Sequence, residues 1–157
     1  MVPLDKGPTD SAEGAMTNSS AVSPAVALAY LHARYRVASP HSFVMRIGEY
    51  CPEIWELHEA LAVKCSAFIT AWNPLGALLD AASNGARNTA LSRELQRRGQ
   101  RYFDGVGEDP ESIWPGEESF LVAGIERREA IELGNLYQQN AVVWSGSDAV
   151  PQLLMLR

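Results

Sequence analysis

The chain is short of the residues that most often announce a chemistry. Its two cysteines, Cys51 and Cys65, have no second pair and no histidine at ligand spacing, so buried thiols are expected rather than a disulfide framework or a zinc site. The histidines His32, His41 and His58 fall on a helix, a turn and a second helix, in no spacing that suggests metal ligation or a catalytic pair. A glycine-rich phosphate loop is missing, since Gly105-Val106-Gly107 lacks a third glycine and a βαβ setting, and no nucleophile elbow occurs. No apolar run approaches a membrane span, and residues 1–23 lack the basic start and apolar centre of a signal peptide. A cytoplasmic chain with no membrane partner is expected. Basic residues are outnumbered, 13 against 19 acidic, and the net charge of -6 argues against general binding to nucleic acid. The sequence calls for no cofactor and no metal.

What is present is enough apolar material for one core: 46% of 157 residues suits a single domain. Residues 1–22 hold too few large apolar groups to offset their ordering entropy and read as a disordered leader, with one domain over residues 23–157. Ser23 and Pro24 start a helix. Residues 35–37 and 42–47 flank Ser39-Pro40-His41 and read as an antiparallel hairpin. Pro52 opens a second helix, in which Ile54, Leu57 and Leu61 form one apolar stripe. A β-type run over residues 67–71 precedes a third helix, which begins near Asp80 or Ser83 and is stopped by Gly99. Residues 105–116 read as a Gly- and Asp-rich loop, 119–123 as a strand, 127–137 as a helix, and 141–144 with 152–156 as a closing hairpin. This alternation without strict βαβ order predicts an α+β fold, a mixed and largely antiparallel sheet with helices packed mostly on one face.

The chemistry concentrates where residues 67–71 run out into Trp72-Asn73-Pro74 and the next helix brings Asn84, Arg87 and Asn88 back. On a helical wheel Asn84, Asn88, Leu91 and Leu95 share one arc, so both asparagines face inward and need partners. A buried amide left without one costs roughly 1–3 kcal/mol. Arg87 and the free amides of the helix N-terminus would suit a phosphate or carboxylate, yet the asparagines would serve equally to tie loop carbonyls at the crossover. Thr70 offers a hydroxyl at the strand end, with no base at a recognisable spacing. In Glu117-Glu118-Ser119 the two carboxylates of adjacent strand residues point to opposite faces, so one of them enters any shared site. Gln138-Gln139-Asn140 follows the fourth helix and offers amides either to its end or to a ligand.

Together, Arg46-Ile47-Gly48, the Phe68-Ile69-Thr70-Ala71-Trp72-Asn73-Pro74 box, Asn84 with Arg87-Asn88, Glu117-Glu118-Ser119 and Gln139-Asn140-Ala141-Val142-Val143 resemble a bacterial family catalogued as domain of unknown function 3293. The resemblance spans about residues 29–156. It implies a small cytoplasmic bacterial protein and brings no catalytic residues with it.

Two readings stand. In one, Thr70, Asn73, Asn84, Arg87, Asn88, Glu118 and Gln139 converge on a small anionic or nucleotide-like ligand, with Glu118 as a candidate general base. In the other, those residues are structural and the chain is a non-catalytic module for binding another protein, for instance through a terminal strand. No motif specifies a reaction class or an oligomeric state.

Overall fold

Proline and its neighbours set where the first helices begin. The computed structural model describes residues 22–38, 41–111 and 115–157. Helix α1, Pro24–His32, starts with Pro24 in its first turn, and Ser23 Oγ accepts from Val26 N at 3.3 Å. Helix α2, Pro52–Leu61, again has proline at its start and ends on Ala62 in the left-handed region, φ 56°. Helix α3, Ala81–Arg97, is capped by Asp80, whose Oδ1 accepts from Ser83 N at 2.7 Å, and Gly99 (φ 72°) turns the chain just beyond it. Helix α4, Arg127–Leu136, begins with a capping box between Glu126 and Glu129. The leader expected over residues 1–22 lies outside the described residues apart from Val22, as do Ser39 and Pro40 of the hairpin turn.

Among the described residues seven strands form one sheet in the order β2-β1-β4-β5-β3-β6-β7. They are β1, Arg34–Val37; β2, Phe43–Met45; β3, Ser66–Ile69; β4, Arg101–Glu108; β5, Glu117–Ala123; β6, Ala141–Ser145; and β7, Gln152–Met155. Each of the six pairings is antiparallel, and the fold is α+β. On one face, Ile54 and Leu57 of α2 join Val37, Phe43, Met45, Phe68 and Leu121 in an apolar core. On the other, Leu91 and Leu95 of α3 and Ala130 and Leu133 of α4 cover Ala67, Ile69 and Val122. Strand β3 is therefore buried on both faces, which explains the apolar run Ala67-Phe68-Ile69.

Strand β4 runs through Gly105 and Gly107, in a stretch whose composition reads as loop. The glycines are there for close approach. A Cβ on Gly105 would stand 2.7 Å from the Arg36 carbonyl oxygen and 2.7 Å from Phe68 Cε2, so only glycine lets β1 and the Phe68 ring pass. Gly107 lies opposite Tyr35 on one side and Glu117 on the other, and leaves the space above the sheet open.

Candidate functional site

The crossover from β3 to α3 is held by side chains of α3 acting on main chain. Asn88 Oδ1 accepts from Ala71 N at 2.8 Å, and its Nδ2 donates to the Glu118 carbonyl at 2.6 Å. One turn earlier, Asn84 Oδ1 accepts from Asn73 N at 2.8 Å, while its Nδ2 donates to Asn73 Oδ1 at 2.8 Å and to the Leu79 carbonyl at 3.2 Å. Both asparagines are almost fully buried, at 1% and 4% exposure, beside the buried Leu91 and Leu95. Asn73 adopts φ 48°, a left-handed conformation asparagine tolerates, and its Oδ1 also accepts from Leu79 N. Arg87 reaches across the same segment: Nε donates to the Ala71 carbonyl at 2.8 Å and Nη2 to the Tyr137 carbonyl at 2.7 Å. Gln139 Nε2 shares the Tyr137 carbonyl and donates to that of Trp72, both at 3.2 Å. The Thr70 hydroxyl donates to the Glu118 carbonyl and accepts from Trp72 N, so it is committed to backbone on both sides.

Six of the seven residues singled out in the sequence, Thr70, Asn73, Asn84, Arg87, Asn88 and Gln139, thus meet around one segment. Glu118 joins them through its carbonyl oxygen. Its side chain lies on the α3 side of β5, the face opposite Glu117, along a groove lined by Arg36, Asp104, Val106 and Phe120.

The neighbouring carboxylate is half-buried on the other face. Glu117, with Tyr30, Tyr35, Phe68, Thr70 and Gln139, lines a cavity of about 70 Å³ between the sheet and the end of α1. Asn73 Nδ2 donates to Glu117 Oε2 at 3.1 Å, which links the cavity to the asparagine network. Burial pushes the Glu117 carboxyl above the ordinary range, and the bond from Asn73 pulls it partly back. No arginine, lysine or histidine pairs with it among the described residues. Burial likewise raises Tyr30 and Tyr35, with the Glu117 charge adding to both, so the two phenols stay protonated. The Tyr35 hydroxyl donates to the Tyr30 carbonyl at 2.5 Å, and the Tyr30 hydroxyl accepts from Asn140 Nδ2 at 3.2 Å.

Tyr30, Tyr35 and Glu117 carry the cavity and were not separable from their surroundings in sequence. The parity of β5 was the usable signal, since Glu117, Ser119 and Leu121 share a face. Leu121 and Val122 are both buried, however, so hydrophobic alternation could not say which face was which. Among the described residues no group of three or more His, Cys, Asp and Glu stands where it could hold a metal ion, and no helix is long and apolar enough to cross a membrane. Both cysteines are free and buried.

No curated protein and no solved structure matches the chain. A family model described as a protein of unknown function (DUF3293) matches residues 69–142, a stretch that contains Glu117 and all seven polar residues named above. Over that stretch the chain is similar to this family of unknown function.

Proposed function

We propose that the chain is a small-ligand-binding domain, cytoplasmic and bacterial as the family resemblance implies, whose site is the cavity at Glu117. The observation that carries this reading is a half-buried carboxylate on a cavity wall with one side-chain donor, Asn73, and no charged partner among the described residues. Burying an ionisable group without a counter-charge is costly, and such groups concentrate at sites of binding or chemistry. The volume supports a ligand of a few heavy atoms, or one end of a larger one. Whole-nucleotide pockets are several times larger. Arg87 directs Nε and Nη2 to backbone carbonyls and does not line the cavity, so the ligand held there is read from Glu117 rather than from Arg87.

A fragment screen by amide NMR tests the reading. Hits are expected to perturb Gly107, Glu117 and Gln139, and to be lost in Gly107→Val, whose side chain would fill the space that glycine leaves. Hits that map elsewhere, or that survive the substitution in a folded protein, would overturn it.

The second reading, a module for binding another protein, is favoured by the backbone bonds of Asn84, Asn88 and Arg87, which make those residues structural. Under it a pull-down would recover a reproducible partner, and Gly107→Val would leave that interaction intact.

A further inference from the structure

Donors and acceptors are unequally distributed around the Glu117 cavity. The hydroxyl of Thr70 donates to the Glu118 carbonyl, that of Tyr35 to the Tyr30 carbonyl and that of Ser119 to the Glu117 carbonyl. Both hydrogens of the Gln139 amide have carbonyl acceptors, Trp72 and Tyr137. These side-chain donors are committed to the protein, and the Tyr30 hydroxyl hydrogen is the one left among the described lining residues. The acceptors are in surplus: the Glu117 carboxylate takes a single side-chain hydrogen bond, from Asn73. Beside it stand aromatic rings, with Tyr35 and Phe68 packed edge to face at 5.4 Å between centroids. A wall of acceptors, one negative charge and several aromatic rings is the chemistry that recognises a cation carrying its own N–H donors.

We propose that the Glu117 cavity binds a small organic ammonium group, with Glu117 as its counter-ion and Tyr30, Tyr35 and Phe68 as its aromatic surround. This names the ligand class of the site put forward above and rests on that reading. The size agrees: one water takes up roughly 10–15 Å³ measured in this way, so about 70 Å³ holds a handful of waters or a short alkylammonium in their place. The raised carboxyl of Glu117 fits as well, because the charge that burial penalises is the one an ammonium would neutralise.

The test compares three probes of similar size, ethylammonium, ethanol and acetate, titrated against the full chain at constant ionic strength and followed through the amide signals of Gly107, Glu117 and Gln139. Ethylammonium is expected to give saturable shifts while ethanol and acetate give little. Its affinity should fall at least tenfold in Glu117→Gln, and in the wild type it should weaken as pH drops through the carboxyl range. Ethanol or acetate shifting these residues as strongly as ethylammonium would overturn the cation assignment and leave a small-ligand site standing. Unchanged ethylammonium affinity in Glu117→Gln would overturn it likewise. The comparison of probes needs only the wild-type protein, so it decides even if the variant fails to fold. A fragment screen of the wild type that gives no hit at Gly107, Glu117 and Gln139, by contrast, would remove the site itself.

Discussion

Asn73 and Asn84 bind each other in both directions: the Asn73 main-chain N–H donates to Asn84 Oδ1, and Asn84 Nδ2 returns a bond to Asn73 Oδ1, each at 2.8 Å. The pair ties the left-handed Asn73 to the buried face of α3 and leaves Asn73 Nδ2 aimed at Glu117. Structure and candidate site are joined through one side chain.

Replacing Asn84 by alanine orphans the Asn73 N–H and takes a donor from both Asn73 Oδ1, which keeps its bond from Leu79 N, and the Leu79 carbonyl. A net hydrogen bond contributes about 1 kcal/mol and an orphaned buried group costs about 1–3 kcal/mol, so a loss of roughly 2–4 kcal/mol is expected in urea unfolding. Asn84→Asp removes both donors and brings a charge against Asn73 Oδ1, and should be at least as damaging. A loss below half a kcal/mol for either variant would show that the pair contributes little.

Glu117 titrates with a consequence for stability. Its native carboxyl lies above the unfolded value, so its contribution is fully present below the ordinary carboxylate range, near pH 4, and is lost as pH rises through the raised native value. Glu117→Gln keeps an oxygen for Asn73 Nδ2 and removes the buried charge. It should therefore be more stable than the wild type at pH 7, with the difference shrinking as pH falls through the raised native value and gone below about 4. Unfolding curves at several pH values give the answer, and a constant difference would contradict it.

His58 has the opposite sign. It is buried, its Nε2 lies 2.9 Å from Ser66 Oγ, and its Nδ1 has no partner among the described residues. Burial lowers its pKa, so its contribution is present above the unfolded value of about 6.5 and lost as pH falls through the lower native one. His58→Gln, which cannot take up a proton, should lose less stability than the wild type between pH 7 and pH 5. Parallel pH profiles for the two proteins would rule this out.

Gly105→Ala tests the close approach within the sheet. The new methyl would meet the Arg36 carbonyl and the Phe68 ring at 2.7 Å, and the backbone carbonyl cannot yield as a side chain could. We expect a loss of about 1–3 kcal/mol, read by thermal or urea unfolding, typical of overpacking. At Gly85, where an added Cβ meets nothing within 4 Å, alanine should be neutral or stabilising, as expected for a helix interior.

The α+β class was legible because helical and strand periodicities alternate along the chain. The inward direction of Asn84 and Asn88 was legible too, because Leu91 and Leu95 fix the buried side of α3. Two things were hidden. Strand β4 carries glycines demanded by neighbours in other strands, Arg36 and Phe68, and a window of local sequence contains neither. Glu117 was hidden beside Glu118 because β5 is covered on both faces over Leu121 and Val122, which erases the alternation that would assign a carboxylate to one side. Tyr30 and Tyr35 reach the cavity because β1 pairs with β4, whose other edge carries β5 and Glu117, a relationship set by topology.

The strand order has a consequence for how the chain is made. Strand β3 hydrogen-bonds to β5 and β6 and lies between them, while α3 and β4 intervene in the sequence. As the polypeptide leaves the ribosome, Ala67-Phe68-Ile69 emerges with neither neighbour synthesised, and its two open edges stay unpaired until β5 and then β6 arrive. The strand buried at every residue is thus the one that waits longest for a first partner, and the nascent chain passes through a period in which it is adhesive.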